Sequence, residues 1–301
     1  MNYRTLGKTQ LRVSEIGLGA LEIGRDWPYW READEGFSRP EESSAIRIVH
    51  EAIDLGINFM DTAPAYFQSE AILGKALKGK RQQVILATKC GEWFDGQNSV
   101  YDYSANATEK FIENSLKQLQ TDYVDLLQIH SGNVDVVRRG ETLEAMKKSQ
   151  KEGKARFIGI SLDSEDAAHA ALHDGGYDCI QVSYNLLRRE MEKTVFPKAV
   201  ECRVGVIIKD GLGAGRLSSK HEQLPENQLK ESIRKANRLA SEVGLTLTEF
   251  CLRFVLGNQS TSTVIVGTKN IEHLRANTAS CGDPEKTGMV RKKAAELSPP
   301  Q

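Results

Sequence analysis

The stretch Val84-Ile85-Leu86-Ala87-Thr88-Lys89 decides the fold class of this sequence, because four consecutive apolar residues run into a threonine and a lysine. A strand that is apolar on both faces is typical of a parallel sheet with helices packed on each side. The run Val206-Ile207-Ile208 has the same character. Further β-rich runs complete a set of eight predicted strands, at residues 16–19, 58–61, 84–89, 123–130, 156–161, 179–183, 205–209 and 263–267.

Helical patterns lie between these strands. Apolar residues recur at helical spacing after Pro40 and after Thr108. Ser164, which two acidic residues follow, and the capping box Thr246-x-x-Glu249 indicate helix starts. Eight strand–helix units without a linker or a composition break predict one α/β domain over residues 1–301, a single (β/α)8 TIM barrel.

An open doubly wound sheet is the main alternative fold. Its phosphate-binding fingerprint requires a glycine-rich turn that leads directly into a helix. Gly17-x-Gly19 lies too far from a following helix to be that turn, so the closed barrel is favoured.

Four segments interrupt the alternation of strands and helices. Residues 3–13 predict an N-terminal β-hairpin that could plug the bottom of the barrel. Residues 25–39 and 92–105 predict long βα loops over the active site, and they carry the aromatic residues Trp27, Tyr29, Trp30, Phe37, Trp93, Phe94, Tyr101 and Tyr103. The polar tail 283–301 is expected to be peripheral or partly disordered.

Composition excludes several classes of protein. Forty basic and forty-one acidic residues leave a net charge of −1, which argues against binding to nucleic acid or to an anionic membrane. Five cysteines are spread along the chain without a CxxC pair, so we expect reduced thiols and no metal site. The N-terminus lacks an apolar signal region, and no apolar run of membrane-spanning length occurs. These features predict a cytoplasmic protein.

Acid–base residues end three neighbouring predicted strands. Asp61 ends the second strand, Lys89 the third and His130 the fourth, and Tyr66 lies in the loop after Asp61. Strand ends of a barrel meet at one mouth, where chemistry takes place. We expect the Lys89 ammonium to lower the pKa of Tyr66 and Asp61 to keep Lys89 charged. The four residues can protonate a carbonyl oxygen while its carbon receives a hydride.

At these strand ends the sequence resembles the aldo-keto reductase family, over roughly residues 3–281. The matching segments are Asp61-Thr62-Ala63-Pro64-Ala65-Tyr66 with Ser69-Glu70, Thr88-Lys89, Asp125-Leu126-Leu127-Gln128-Ile129-His130, Gly159-Ile160-Ser161, Gln181-Val182-Ser183-Tyr184-Asn185, and Val266-Gly267-Thr268-Lys269 through Asn277.

The resemblance implies a TIM barrel that reduces aldehydes or ketones with NADP(H). It assigns Tyr66 as the general acid, Lys89 and Asp61 as the pair that tunes it, and His130 as the donor that orients the carbonyl group. The residues that it implies for cofactor binding are Ser161, Gln181, Lys209, Leu212, Gly213, Gly267, Thr268, Lys269, His273 and Asn277. Trp93 is the candidate residue for substrate contact.

The sequence departs from the family pattern at the cofactor site. Lys209 stands where an aromatic residue usually stacks on the nicotinamide, and Leu162 replaces the usual asparagine after Ser161. His273 replaces the usual arginine of the phosphate motif, and Ala276 replaces its acidic residue. Because histidine is only partly charged at neutral pH, the pattern predicts a modest preference for NADP(H) that leaves NAD(H) open.

Two other functions remain alternatives at this stage. One is an NAD(P)-dependent dehydrogenase that oxidises a sugar or a polyol. The other is a regulatory subunit that binds the cofactor with little turnover. The intact set of Asp61, Tyr66, Lys89 and His130 favours an enzyme that acts on a small-molecule carbonyl or sugar substrate.

Overall fold

Eight parallel strands close into a barrel in the computed structural model, which describes residues 1–26 and 38–297. Each strand pairs with two neighbours, in the order β10-β11-β12-β3-β4-β5-β8-β9. Their bounds are β3 Ile16–Gly19, β4 Phe59–Asp61, β5 Ile85–Cys90, β8 Val124–Gly132, β9 Ala155–Leu162, β10 Cys179–Ser183, β11 Gly205–Lys209 and β12 Thr261–Gly267. The predicted (β/α)8 barrel is confirmed, and the open doubly wound sheet is excluded.

Helices surround the barrel. They are α1 Leu21–Gly24, α2 Glu42–Asp54, α3 Ser69–Ala76, α4 Ala105–Leu119, α5 Val134–Arg139, α6 Glu141–Lys151, α7 Glu165–Asp174, α8 Val195–Glu201, α9 Gln228–Glu242, α10 Leu247–Leu256, α11 Ile271–Ala279 and α12 Pro284–Ala294.

The predicted helix starts are confirmed, with one difference. Ser164 accepts a hydrogen bond from the first turn of α7, and Thr246 Oγ1 accepts one from Glu249 N at 3.2 Å at the start of α10. The Glu249 carboxylate instead accepts from Arg253 Nε at 3.0 Å. Only the Thr246 half of the capping box therefore forms, because the arginine competes for the carboxylate.

The N-terminal hairpin closes the bottom of the barrel, as expected. Its strands are β1 (Tyr3–Thr5) and β2 (Arg12–Ser14), which pair antiparallel. Leu6 and Val13 are fully buried and pack with inward-facing side chains of the barrel strands, among them Phe59 and Leu126. Gly7 has φ +50°, and its Cα meets the backbone of β11, a contact that a side chain would block.

A second hairpin forms within the expected loop 92–105. Its strands β6 (Glu92–Phe94) and β7 (Ser99–Tyr101) pair antiparallel around a turn that contains Asp95 and Gly96. The Asp-Gly pair is a hairpin signal that could have identified this element.

The two other segments that interrupt the alternation are the tail 283–301 and the expected loop 25–39. In the tail, α12 packs against α10 and buries Val290. Trp27, Tyr29, Trp30 and Phe37 of the expected loop 25–39 lie outside the described residues. Within residues 1–26 and 38–297, no helix has the length and apolar character needed to cross a membrane.

We predict that the hairpin plug stabilises the barrel. Leu6→Ala should lower the free energy of unfolding by about 2–5 kcal/mol, because it leaves a cavity among fully buried side chains. Val200→Ala is the control, since Val200 is 58% exposed, and should change stability by less than about 0.5 kcal/mol. Urea unfolding measures both, and equal stabilities of the two variants would contradict the plug.

Candidate active site

A buried ion pair joins the ends of two neighbouring barrel strands. Asp61 ends β4, and Lys89 lies near the end of β5. Lys89 Nζ donates to Asp61 Oδ2 at 2.5 Å and to the carbonyl oxygen of Thr62 at 3.0 Å. Both charged side chains are almost fully buried. Burial lowers the pKa of Lys89, and the Asp61 carboxylate opposes that shift.

Two glutamine side chains satisfy the other oxygen of Asp61. Gln128 Nε2 donates to Asp61 Oδ1 at 3.0 Å, and Gln181 Nε2 donates to the same atom at 2.9 Å. The amide group of Gln181, expected at the cofactor, is therefore also part of the support of Asp61. Gln128 was not among the predicted site residues, although it lies two residues before His130 and so on the same side of the strand.

Tyr66 reaches the ion pair from the loop after β4. It ends a 3₁₀ turn, Pro64–Tyr66, and its hydroxyl accepts a hydrogen bond from Lys89 Nζ at 3.2 Å. The expected lowering of the Tyr66 pKa is wrong. Burial and the nearby carboxylates of Asp61 and Glu92 raise the pKa of Tyr66 well above its usual value.

His130 lies beside Tyr66 at the same mouth. It is on β8, and the two rings meet edge to face with their centroids 5.6 Å apart. Burial and the nearby cations Lys89, Lys209 and Arg25 hold the pKa of His130 well below its usual value. The structure therefore brings together all four predicted acid–base residues, with a protonated phenol and an uncharged imidazole at neutral pH.

The residues expected at the nicotinamide lie on strands that neighbour this site. Ser161 and Gln181 pair in register across β9 and β10. Lys209, at the end of β11, donates to Ser161 Oγ at 3.0 Å and lies 2.7 Å from Asp163 Oδ1. A hydroxyl and an amide at adjacent strand ends are the donor and acceptor types that could hold a carboxamide. Leu212 and Gly213 follow in a turn where Gly213 has φ +59°, a backbone conformation that also occurs in anion-binding turns.

Some of the residues expected at the phosphate end already make hydrogen bonds within the protein. Gly267 ends β12, and Thr268 Oγ1 accepts from Asn270 N at 3.1 Å within its own turn. Lys269 Nζ donates to the carbonyl oxygen of Ser38 at 2.9 Å. Four residues apart on α11, His273 is exposed and Asn277 is buried. The carboxylate of Glu22 fills the space beside the Gly267 Cα.

Glu22 was not predicted as a site residue. It lies on α1, far from Gly267 in sequence, so no local pattern links the two. It places an acidic group near the expected phosphate site, where the sequence from Gly267 to His273 has only Glu272 as an acidic residue.

A guanidinium packs against an aromatic ring near the mouth of the barrel. Trp93 packs against Phe111 of α4, with ring centroids 5.5 Å apart; its contact with substrate stays a prediction. Phe94 contacts the ring of Phe67, and the guanidinium of Arg25 lies 3.6 Å from the Phe94 centroid. Arg25 also donates to the carbonyl oxygen of Ala65 at 2.9 Å.

Comparisons with known proteins agree with this architecture. A model of the aldo/keto reductase family matches residues 15–294. The chain is 33% identical to the L-galactose dehydrogenase of Arabidopsis thaliana over 314 residues, which covers 99% of this chain and 93% of that protein. It is 28% identical to the NADH-specific methylglyoxal reductase of Escherichia coli K12 over 306 residues, 91% of this chain and 92% of that protein. A solved holo form of an aldo-keto reductase from Bacillus halodurans is similar with a TM-score of 0.85 and 31% identity, over 99% of this chain and 96% of that one.

We predict that the contributions of Asp61 and Lys89 to the free energy of unfolding are coupled. Asp61→Asn should lower the free energy of unfolding by about 3–5 kcal/mol, because it leaves the Lys89 ammonium buried without its carboxylate. The double variant Asp61→Asn/Lys89→Met should recover part of that loss, since it removes the unpaired charge. Urea unfolding of both variants and of Lys89→Met completes the cycle, and a double variant less stable than Asp61→Asn would contradict the coupling.

Proposed function

This chain belongs to the aldo/keto reductase family, and we propose that it is an NADP(H)-dependent oxidoreductase that reduces an aldehyde or a ketone to an alcohol. The observation that carries the proposal is the contact of the Tyr66 hydroxyl with the buried Lys89–Asp61 pair. A phenol held beside a fixed ammonium can transfer its proton without leaving an unpaired charge behind.

The proton comes from Tyr66. Its raised pKa keeps the phenol protonated at neutral pH, which suits a donor in the reductive direction. The nicotinamide, when bound, supplies the hydride that the carbonyl carbon receives. As the carbonyl oxygen gains negative charge, it takes the Tyr66 proton, and Lys89 Nζ, 3.2 Å from the phenol oxygen, stabilises the phenolate. Tyr66 then regains a proton from water.

The cofactor is proposed to cross the mouth from β9 and β10 towards β12. Ser161 and Gln181 would hold the carboxamide, and Lys209 would orient the Ser161 hydroxyl. Leu212 and Gly213 would meet the pyrophosphate through their backbone. Gly267, Thr268, Lys269, His273 and Asn277 would surround the adenosine phosphate.

A second candidate is a sugar or polyol dehydrogenase that runs in the oxidative direction. The similarity to an L-galactose dehydrogenase over nearly the whole chain favours it. The raised pKa of Tyr66 favours reduction instead, because oxidation needs the phenolate as a base. A regulatory subunit with little turnover is disfavoured, since such a subunit needs no buried ion pair beneath Tyr66.

We predict that Tyr66→Phe folds and binds cofactor but loses nearly all carbonyl reduction, because only the proton donor is removed. Steady-state assays with NADPH and an aldehyde panel, together with a cofactor titration, measure this. Tyr123→Phe is the matched control, since that hydroxyl bonds only weakly to Gln82 at 3.3 Å. Retention of more than roughly a tenth of wild-type kcat in Tyr66→Phe would contradict the role of Tyr66.

We also predict that the protein prefers NADPH over NADH by about tenfold. Lys269 and His273 would contact the extra phosphate of NADPH, but more weakly than the bidentate arginine of the family pattern, so the preference stays modest. Dissociation constants of both reduced cofactors test this.

The two variants that test the cofactor preference change His273 and Arg275, which both lie on α11. His273→Ala should weaken the preference for NADPH, because it removes a hydrogen-bond donor from the proposed phosphate site. Arg275→Gln should leave the preference unchanged, because that guanidinium is engaged by Glu51 and Glu272. Tighter binding of NADH than of NADPH would overturn the NADP(H) assignment, and an unchanged preference in His273→Ala would remove His273 from it.

A further inference from the structure

A lysine ends β11 on the side of the strand that faces the interior of the barrel. Ile207 packs inside the barrel with Leu126. Lys209 follows Ile207 by two residues, so the two side chains leave the strand on the same side. The Lys209 side chain is only 20% exposed. Its charge therefore lies among the strand ends and not in open solvent.

The Lys209 ammonium has partners on and just after β9. Its Nζ donates to Ser161 Oγ at 3.0 Å and lies 2.7 Å from Asp163 Oδ1. The Asp163 side chain is 62% exposed. Because water screens an exposed carboxylate, Asp163 offsets only part of the positive charge. Burial, then Lys89 and then Lys209 hold the pKa of His130 well below its usual value, so the charge of Lys209 acts inside the mouth.

The hydroxyl of Ser161 connects this charge to the place proposed for the nicotinamide. Ser161 and Gln181 would hold the carboxamide of that ring, and Ser161 Oγ already accepts a hydrogen bond from Lys209. Two consecutive hydrogen bonds span at most about 6 Å. The ammonium would therefore lie within that distance of the carboxamide, which is conjugated with the ring. The ring is cationic in the oxidised cofactor and neutral in the reduced one.

We propose that Lys209 makes this site discriminate between the two redox forms of the cofactor, so that it binds the neutral reduced ring more tightly than the cationic oxidised ring. The inference rests on the proposed function. Like charges a few ångströms apart in a partly buried site repel each other, whereas a neutral ring meets no such repulsion. The phosphates are the same in both forms, so the attraction of Lys209 for them cancels in the ratio of the two dissociation constants.

This discrimination has opposite effects on cofactor exchange and on hydride transfer. In the reductive direction each turnover takes up the reduced form and releases the oxidised form. A weakly held oxidised form leaves sooner and competes less with the next reduced molecule. A tenfold ratio also raises the midpoint potential of the bound couple by about 30 mV, which weakens the driving force for reduction. Lys209 would thus favour exchange over driving force.

The dissociation constants of NADPH and NADP⁺ test the proposal, measured by calorimetry on the full-length protein without substrate. The wild type should bind NADPH more tightly. Lys209→Gln should lower the ratio of the NADP⁺ constant to the NADPH constant about tenfold, because glutamine can still donate to Ser161 but carries no charge. Lys209→Arg keeps the charge and should keep the ratio within about threefold of the wild type.

Two further variants fix the sign and the specificity of the effect. Asp163→Asn removes the carboxylate that offsets Lys209, so it should raise the ratio, by about twofold to threefold because that carboxylate is exposed. Lys198→Gln is the matched control. Lys198 lies on α8 and pairs with Glu201 at 2.8 Å, and its loss should leave the ratio unchanged.

A fragment of the cofactor shows whether Lys209 acts at the ring. The probe is 2′-phosphoadenosine diphosphoribose, which has the phosphates of NADP⁺ but no nicotinamide. Its affinity should change in Lys209→Gln by the same factor as that of NADPH. A fragment whose affinity changes as that of NADP⁺ does would place the action of Lys209 at the phosphates and overturn the inference.

The remaining outcomes separate this inference from the proposed function. A ratio that is unchanged in Lys209→Gln, or a wild type that binds NADP⁺ more tightly, would overturn the inference. NADH and NAD⁺ give the same comparison without the 2′-phosphate, so the test does not depend on the cofactor preference. If no form of either cofactor binds, the proposed function fails with the inference. If NADPH supports Tyr66-dependent reduction but the ratio does not depend on Lys209, the proposed function stands and the inference falls.

Discussion

The ion pair between Lys89 and Asp61 is the interaction on which the rest of the site depends. Two opposite charges are stable away from water only when their geometry is good and their remaining hydrogen-bonding capacity is met. Asp61 meets this condition with Gln128 and Gln181, and Lys89 meets it with Thr62 and Tyr66. The partners come from β4, β5, β8 and β10, so the network spans the barrel mouth. A closed barrel is what brings these strands within reach of one carboxylate.

A second buried carboxyl group lies close to the ion pair. Glu70 accepts a hydrogen bond from Thr88 Oγ1 at 2.5 Å. Burial raises the pKa of Glu70 to about 7, although hydrogen bonds from Thr88 and Ser115 and the nearby Lys89 ammonium oppose this shift. The charge next to the Lys89–Asp61 pair therefore changes near neutral pH.

The environment keeps both candidate proton-transfer groups uncharged. Burial and the nearby carboxylates raise the pKa of Tyr66, while burial and the nearby cations lower the pKa of His130. Opposite shifts of this kind separate the roles of two neighbouring titratable groups. The phenol of Tyr66 therefore stays protonated at neutral pH, and the imidazole of His130 stays a neutral ring.

The sequence by itself determined where the strands lie and which acid–base residues end them. Short apolar runs indicate the eight strands. Asp61, Lys89 and His130 lie at the ends of three of them, and strand ends of a barrel meet at one mouth. The tertiary structure decided what those residues experience. Burial, and after it the carboxylates from β4, β6 and α1, set the direction of the Tyr66 pKa shift, and Glu22 meets Gly267 across more than two hundred residues of sequence. The contact between Glu92 Oε2 and His130 Nδ1, which lie 3.1 Å apart, likewise depends on how the second hairpin packs against the barrel. The local sequence pattern shows which residues end a strand. The pKa values of those residues depend instead on charges that distant segments bring within a few ångströms.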